Sequence, residues 1–152
     1  MWGAWRRDRL DCVRQTRELD PLPVRRHRQP SQWNDDVALD TLRTASVVAF
    51  GGVGFAGVKS PETQAYEYLR DAGARVRPGL KALLRTATPA GKVYAAHLVN
   101  RLDRDFGRCV WEGLAAQSGE FLTGSGCVIE KLSLAGHARA QLAAPAPPPA
   151  IS

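Results

Sequence analysis

The sequence predicts a small all-α domain, a bundle of about four or five helices at residues 60–143. Apolar residues recur at three- and four-residue spacing through most of this region, as they do on the buried face of an amphipathic helix. A hydroxyl residue followed by proline precedes two of the periodic stretches, at Ser60-Pro61 and at Thr88-Pro89. Such a pair is typical of a helix start, because the hydroxyl caps free backbone N–H groups and proline suits the first turn.

The composition fits a single globular domain. The chain has 152 residues, of which 44% are hydrophobic and 24% are charged, and these are ordinary values for a globular protein. A chain of this length can bury a core without metal ions or disulfide bonds. Composition therefore argues against the small folds that depend on such crosslinks.

Residues 1–36 are predicted to be a disordered, Arg-rich extension. Residues 1–28 contain eight arginines and four acidic residues, so most of the formal net charge of +6 lies there. The prolines at positions 21, 23 and 30 exclude a long helix.

This basic extension supports one alternative function, a nucleic-acid-associated protein. Its arginines could contact phosphates, and Trp2 and Trp5 could stack on bases. No recognition helix or known nucleic-acid module accompanies it, and a solvated extension without a partner is the competing interpretation.

Residues 37–59 are predicted to be an apolar, glycine-rich lead-in to the domain. A short helix is expected at 38–44, and the β-branched run at 46–50 indicates a strand or an extended buried segment. No stretch reaches the ~18 apolar residues of a membrane span. Cytoplasmic localisation is the default expectation, whereas a true start near Val37 would make the apolar run resemble a secretory signal and favour export.

The first three helices of the domain follow from caps and periodicity. The first is expected at Pro61–Ala72, with Gly73 after its end. The second starts at Pro78 and carries leucines at 80, 83 and 84, and the third occupies Pro89–Leu102.

Two further helices and a tail complete the predicted domain. The fourth helix is expected at about 104–117 and ends at Ser118-Gly119. Residues 123–128 are rich in turn-forming residues and predict an irregular connection. Ser133 then caps a last helix at Leu134–Ala143, and residues 144–152, with four prolines, are predicted to be a disordered tail.

Residues 78–103 look like a HEAT-type helical hairpin. In that pattern an apolar helix meets a turn with proline, a basic residue follows three positions later, and the second helix is rich in small residues that allow close packing. The resemblance implies antiparallel hairpin packing and a role in binding other proteins. The residues that carry it are Leu80, Leu83, Leu84, Pro89, Lys92, Ala95, Ala96, Leu98 and Leu102.

The wider layout resembles a group of small uncharacterised bacterial proteins. The similarity is carried by residues 49–57, Ser60, residues 88–95, Leu102-Asp103 and Gly126-Cys127. It implies that residues 48–142 form one unit, and it implies no activity.

The sequence therefore predicts a non-enzymatic interaction or scaffold module that uses the surfaces of its helical hairpins. Lys92, Arg101 and Arg104 are the expected partner contacts, chosen for their position near helix ends. No catalytic residues and no cofactor are predicted.

The enzyme-class alternative is an NAD(P)-binding Rossmann-like unit. Gly52, Gly54 and Gly57 form a G-x-G-x-x-G motif after an apolar run, and Arg75 or Arg77 would meet a 2′-phosphate. Two features argue against it. The next helix starts at Ser60-Pro61 rather than inside the motif, and the chain beyond residue 78 supplies no further parallel strands.

Histidines and cysteines do not predict a metal site. His97, Cys109, Cys127 and His137 lack the close ligand pairs of zinc sites. His97 is expected between core and solvent, and His137 on an exposed helix side. Cys109 and Cys127 are expected as buried thiols, with a reactive Cys127 on its glycine-flanked loop, or a disulfide between the two in an exported protein, as alternatives.

Overall fold

A computed structural model describes residues 33–50 and 59–144 of the chain. This part of the chain is mostly helical, as predicted, but it also contains a three-stranded sheet that an all-α domain lacks. Most of the predicted N-terminal extension, the glycine motif at 52–57 and residues 145–152 lie outside the described residues. The elements are α1 (Asp35–Arg43), β1 (Val47–Val48), α2 (Pro61–Ala72), a 3₁₀ helix (Gly73–Val76), α3 (Arg77–Thr86), α4 (Pro89–Leu102), α5 (Arg104–Leu114), β2 (Glu120–Ser125), β3 (Val128–Ser133) and α6 (Leu134–Ala143).

Side-chain caps fix the starts of most helices, and they confirm the hydroxyl-proline prediction. The Ser60 hydroxyl accepts a hydrogen bond from the Thr63 amide, and the Thr88 hydroxyl accepts one from the Gly91 amide. Each bond satisfies a backbone donor that the helix itself leaves free. Three further helices are capped in the same way, by Asn34, Asp103 and Ser133.

The helix bounds differ from the predicted ones at two places. α1 begins at Asp35, earlier than the expected start at 38, because Asn34 caps it and acidic residues at 35 and 36 favour the first turn. α5 ends at Leu114 rather than near 117, although the Gln117 amide still donates to the Leu114 carbonyl.

The sheet is the main departure from the predicted all-α fold. Its strand order is β1-β2-β3, with β1 parallel to β2 and β2 antiparallel to β3. The expected irregular connection at 123–128 is instead the end of β2, a turn at Gly126-Cys127 and the start of β3. Gly126 has φ +58° there, a conformation that glycine adopts without steric strain.

A hydrogen-bonded anchor holds the end of β1 against the helices. The buried Tyr94 hydroxyl accepts from the Ala49 amide at 2.7 Å and donates to the Ala49 carbonyl at 3.0 Å. The Thr63 hydroxyl donates to the same carbonyl at 2.8 Å. The carboxyl end of β1 is therefore fixed to α2 and α4. β2 pairs with one side of β1.

α4 is the central helix of the core. It packs against α3, α5, α1, α2 and the sheet, and the residues at 93–96 are all fully buried. Its glycine at position 91 lets the backbone approach the carbonyl of Leu42 in α1. α3 and α4 pack against each other and are joined by Ala87-Thr88 alone, so the predicted helices of the 78–103 region are confirmed.

Among the residues that the structure describes, no helix has the length and apolar character needed to cross a bilayer. This agrees with the predicted absence of a membrane span.

Candidate functional site

A small cavity lies where α2 and α4 run side by side. Tyr66 of α2 contacts Tyr94 of α4. Further along both helices, Leu69 and Leu98 line the same cavity. These two pairs show that α2 and α4 run in the same direction. The cavity has a volume of about 150 Å³, and we call it the α2–α4 cavity. Its lining residues are Leu69, Arg70, Leu80, Leu98, Arg101 and Leu102.

The floor of the α2–α4 cavity is apolar and its rim is positively charged. Leu69, Leu80 and Leu98 are buried core residues, whereas Arg70 and Arg101 are exposed. Each arginine lies in the last turn of its helix, where its charge also favours the negative end of the helix dipole. The arrangement suits a ligand that has an anionic group attached to a small apolar body.

A histidine pair involves α4 one helical turn before Arg101. His97 of α4 and His137 of α6 place their Nε2 atoms 3.4 Å apart, and their ring centroids are 5.7 Å apart. Both nitrogens therefore lie close to the line that joins the two rings. This end-on geometry suits an N–H···N hydrogen bond between one donor and one acceptor tautomer.

Aromatic rings enclose the histidine pair on several sides. His97 packs edge-on against Phe50 and Trp111, and His137 packs edge-on against Trp111 and Phe121. Burial, with a smaller contribution from His137, lowers the pKa of His97 to about 4, and burial also lowers the pKa of His137. Both imidazoles are therefore neutral near pH 7.

The pair is not arranged as a zinc site. Because both Nε2 atoms point along the line between the rings, a zinc ion at the usual ~2.0–2.1 Å from each nitrogen would lie well off the lone-pair direction of both. Within residues 33–50 and 59–144, no three His, Cys, Asp or Glu side chains group closely enough to hold a metal. The structure thus brings together two of the four residues considered for a metal, His97 and His137, as hydrogen-bonding partners.

A second surface of interest is the exposed hairpin β2–β3. Val128 and Ile129 of β3 are 57% and 60% exposed, and Leu122 of β2 is 38% exposed. In the described part of the chain β3 pairs with β2 alone, so its other side is an open strand edge. We call this open side of β3 the β3 edge; Val128 and Ile129 are consecutive in β3 and therefore stand on opposite faces of the sheet beside it.

The predicted partner contacts do not form one surface. The ammonium group of Lys92 donates to Gln117 Oε1 at 2.9 Å, and burial lowers its pKa. Arg101 lies nine residues further along the same helix, about half a turn out of phase, and lines the α2–α4 cavity. Arg104 is exposed at the start of α5.

The arginines of the Rossmann-like alternative lie on helical segments. Arg75 is in the 3₁₀ helix and forms a two-point hydrogen bond with Asp35, at 2.9 and 2.8 Å. Arg77 begins α3, with its Nη2 4.0 Å from Asp103 Oδ2. The alternative needs a second parallel strand at this place, whereas β1 finds its parallel neighbour in β2, more than seventy residues later.

The cysteines differ in their surroundings. Cys109 is half-buried and packs against the core, but it is not a free thiol, so the expectation of a buried reduced thiol is wrong for Cys109. Cys127 is free and exposed at the hairpin turn, so the expectation of a buried Cys127 is wrong, and no disulfide joins it to Cys109.

Several site residues could not be found from the sequence. The spacing of Tyr66 and Arg70, and of His97 and Arg101, is four residues in each helix, which places each pair on one face. The sequence contains this signal, but it does not show that the two faces meet. His137 was expected on an exposed side and is instead half-buried against His97, because the hairpin folds α6 back onto α4 and α5.

Comparisons with protein-family models, with curated proteins and with solved structures gave no significant match to this chain.

Proposed function

We propose that this protein is a non-enzymatic interaction module that binds an extended segment of a partner protein along the β3 edge. The observation that carries the proposal is the pair of exposed apolar side chains, Val128 and Ile129, on a strand with an open side. An edge strand offers unpaired N–H and C=O groups to an added strand, and neighbouring apolar side chains give the contact its specificity.

The charges on β3 disfavour two of the registers in which a second copy could pair with it. Glu130 and Lys131 stand in the middle of the strand. Antiparallel pairing of two copies, centred on either residue, would place like charges opposite each other, which is destabilising. An apolar partner strand avoids this repulsion.

The helical hairpin remains part of the proposal as a scaffold. Three features support a HEAT-like hairpin here: an apolar helix α3, a short link with Thr88-Pro89, and a second helix α4 with small buried residues such as Ala95 and Ala96. In this interpretation the helices hold the sheet in place, and faces that carry Arg101 or Arg104 are the rival contact surface.

The proposal can be tested by selecting binding peptides from a random-peptide phage library with the full-length protein. We expect selected peptides to be rich in β-branched and aromatic residues, since these favour strands. Affinities of the selected peptides would then be measured by fluorescence anisotropy for the protein and for Ile129→Lys. The substitution is expected to weaken binding at least ~10-fold, because it puts a charge into the apolar contact.

One matched control and two helix-surface variants identify the binding surface. Ala140→Lys adds the same charge at an exposed position of α6 and should leave the affinity unchanged. If Arg101→Glu or Arg104→Glu abolishes binding while Ile129→Lys does not, the partner uses the helical surface and the β3-edge proposal is wrong. Failure to enrich any peptide would also count against it.

A further inference from the structure

We propose that the α2–α4 cavity binds a small monocarboxylate with a short apolar body, its carboxylate held between Arg70 and Arg101. This small-molecule site is independent of the β3 edge and of the function proposed for it.

The size and lining of the α2–α4 cavity limit the apolar part of a ligand that it could bind. The volume of about 150 Å³ sets an upper limit on the apolar part of the ligand. Leu69, Leu80, Leu98 and Leu102 supply aliphatic walls, and the first three are no more than 2% exposed. A phenyl ring or a branched chain of four or five carbons is about the largest body that such a space accepts.

The two arginines at the rim of the cavity favour a ligand with an anionic group. Arg101 makes no ion pair with any residue of the described part of the chain. Arg70 uses its Nε for a contact of 3.2 Å with Asp71, its neighbour in sequence. The Asp71 side chain is 73% exposed, so this pair is weak, and the terminal nitrogens of Arg70 are left for a ligand.

The charges of Arg70 and Arg101 both affect the same neighbouring side chain, Tyr66. Burial raises the pKa of Tyr66, and the charges of Arg101 and Arg70 both oppose that rise. Tyr66 lies one turn before Arg70 in α2, so both positive charges are felt on this side of the cavity. Guanidinium groups bind carboxylates through paired N–H donors, which is why we name a carboxylate.

The competing explanation is that Arg70 and Arg101 only stabilise the carboxyl ends of α2 and α4 through the helix dipole. That role would make the two arginines matter for stability and not for ligand binding. Binding and unfolding must therefore be measured on the same variants.

The test is isothermal titration calorimetry of the full-length protein with phenylacetate and with isovalerate, and with phenylacetamide as the neutral counterpart. Ligands with so few atoms are expected to bind with dissociation constants of about 0.05–5 mM. We expect the acids to bind, the amide to bind at least ~10-fold more weakly, and Arg101→Gln to weaken acid binding by a similar factor. Arg101→Lys should restore part of the affinity, because it keeps the charge and loses the paired donors.

Arg139→Gln is the matched control, since it removes the same charge from an exposed position on α6. It should leave binding unchanged, and urea unfolding of each variant shows that it is folded. The proposal is overturned if neither acid binds at 10 mM (about twice the weakest expected dissociation constant), or if acid and amide bind equally. It is also overturned if Arg101→Gln lowers stability without changing the affinity for the acids.

Discussion

At the scale of single residues, the histidine pair makes the fold sensitive to pH. His97 and His137 are held neutral by burial among aromatic rings, and their hydrogen bond requires at least one unprotonated Nε2. In the unfolded chain each imidazole titrates near its ordinary pKa of about 6.5. Between that value and the folded-state value, the unfolded chain binds more protons than the folded one.

We predict that the free energy of unfolding falls as the pH decreases from about 6.5 towards 4. The contribution of neutral His97 is fully present above pH ~6.5, because both states are then unprotonated, and it is lost as the pH approaches the folded pKa of about 4. The loss from His97 alone is up to about 3 kcal/mol. Urea unfolding at several pH values, for the protein and for His97→Phe, measures it.

The His97→Phe variant keeps an aromatic ring in the cluster and removes the titrating group. Its stability is expected to change less across the same pH range than that of the unsubstituted protein. Parallel curves for the two proteins between pH 7 and 4.5 would show that His97 is not held neutral by the fold.

At the scale of elements, the packing of α1 against α4 requires that position 91 of α4 has no side chain. A Cβ atom at Gly91 would overlap the Leu42 carbonyl oxygen of α1 and would also press on Ala87. The Leu42 oxygen is backbone and cannot rotate away, so either helix must shift. By contrast, a Cβ at Gly113 of α5 meets nothing within 4 Å.

We therefore predict opposite effects for two glycine-to-alanine substitutions. Gly91→Ala should lower the free energy of unfolding by about 1–3 kcal/mol, because the overlap forces the two helices apart. Gly113→Ala should raise it by about 0.5–1 kcal/mol, since alanine favours the helix at an open position. Urea unfolding at pH 7 distinguishes them, and equal stability of the two variants would mean that α1 does not pack against α4 as described.

The elements also show where the sequence is informative. The caps and prolines at Ser60-Pro61 and Thr88-Pro89 are local signals, and they predicted the starts of α2 and α4 correctly. The β2–β3 hairpin was missed because its turn region, Gly124-Ser-Gly126, has the composition of a loop. β3 shows no burial alternation either, since nearly all of it is exposed. Its strand structure comes from pairing with β2, which is not a local property.

At the scale of the whole molecule, the described residues share one core. It includes α1 and β1, which precede the predicted start of the domain at residue 60, as well as all the later helices and Phe121 of β2. The mostly helical character could be predicted from periodicity. The α2–α4 cavity and the histidine pair could not, because they depend on residues that lie far apart in sequence, Arg70 with Arg101 and His97 with His137.

We propose that a helical core holds a β-hairpin whose outer edge accepts a partner strand. The most direct test is amide hydrogen exchange of the full-length protein, measured by two-dimensional NMR. We predict the slowest exchange in the buried centre of α4, at residues 93–96, and alternate fast and slow amides along β3, because one side of an edge strand lacks hydrogen-bond acceptors. Uniform protection of all β3 amides would show that the edge is already covered, and uniformly fast exchange would show that the hairpin is not formed; either result would contradict the account.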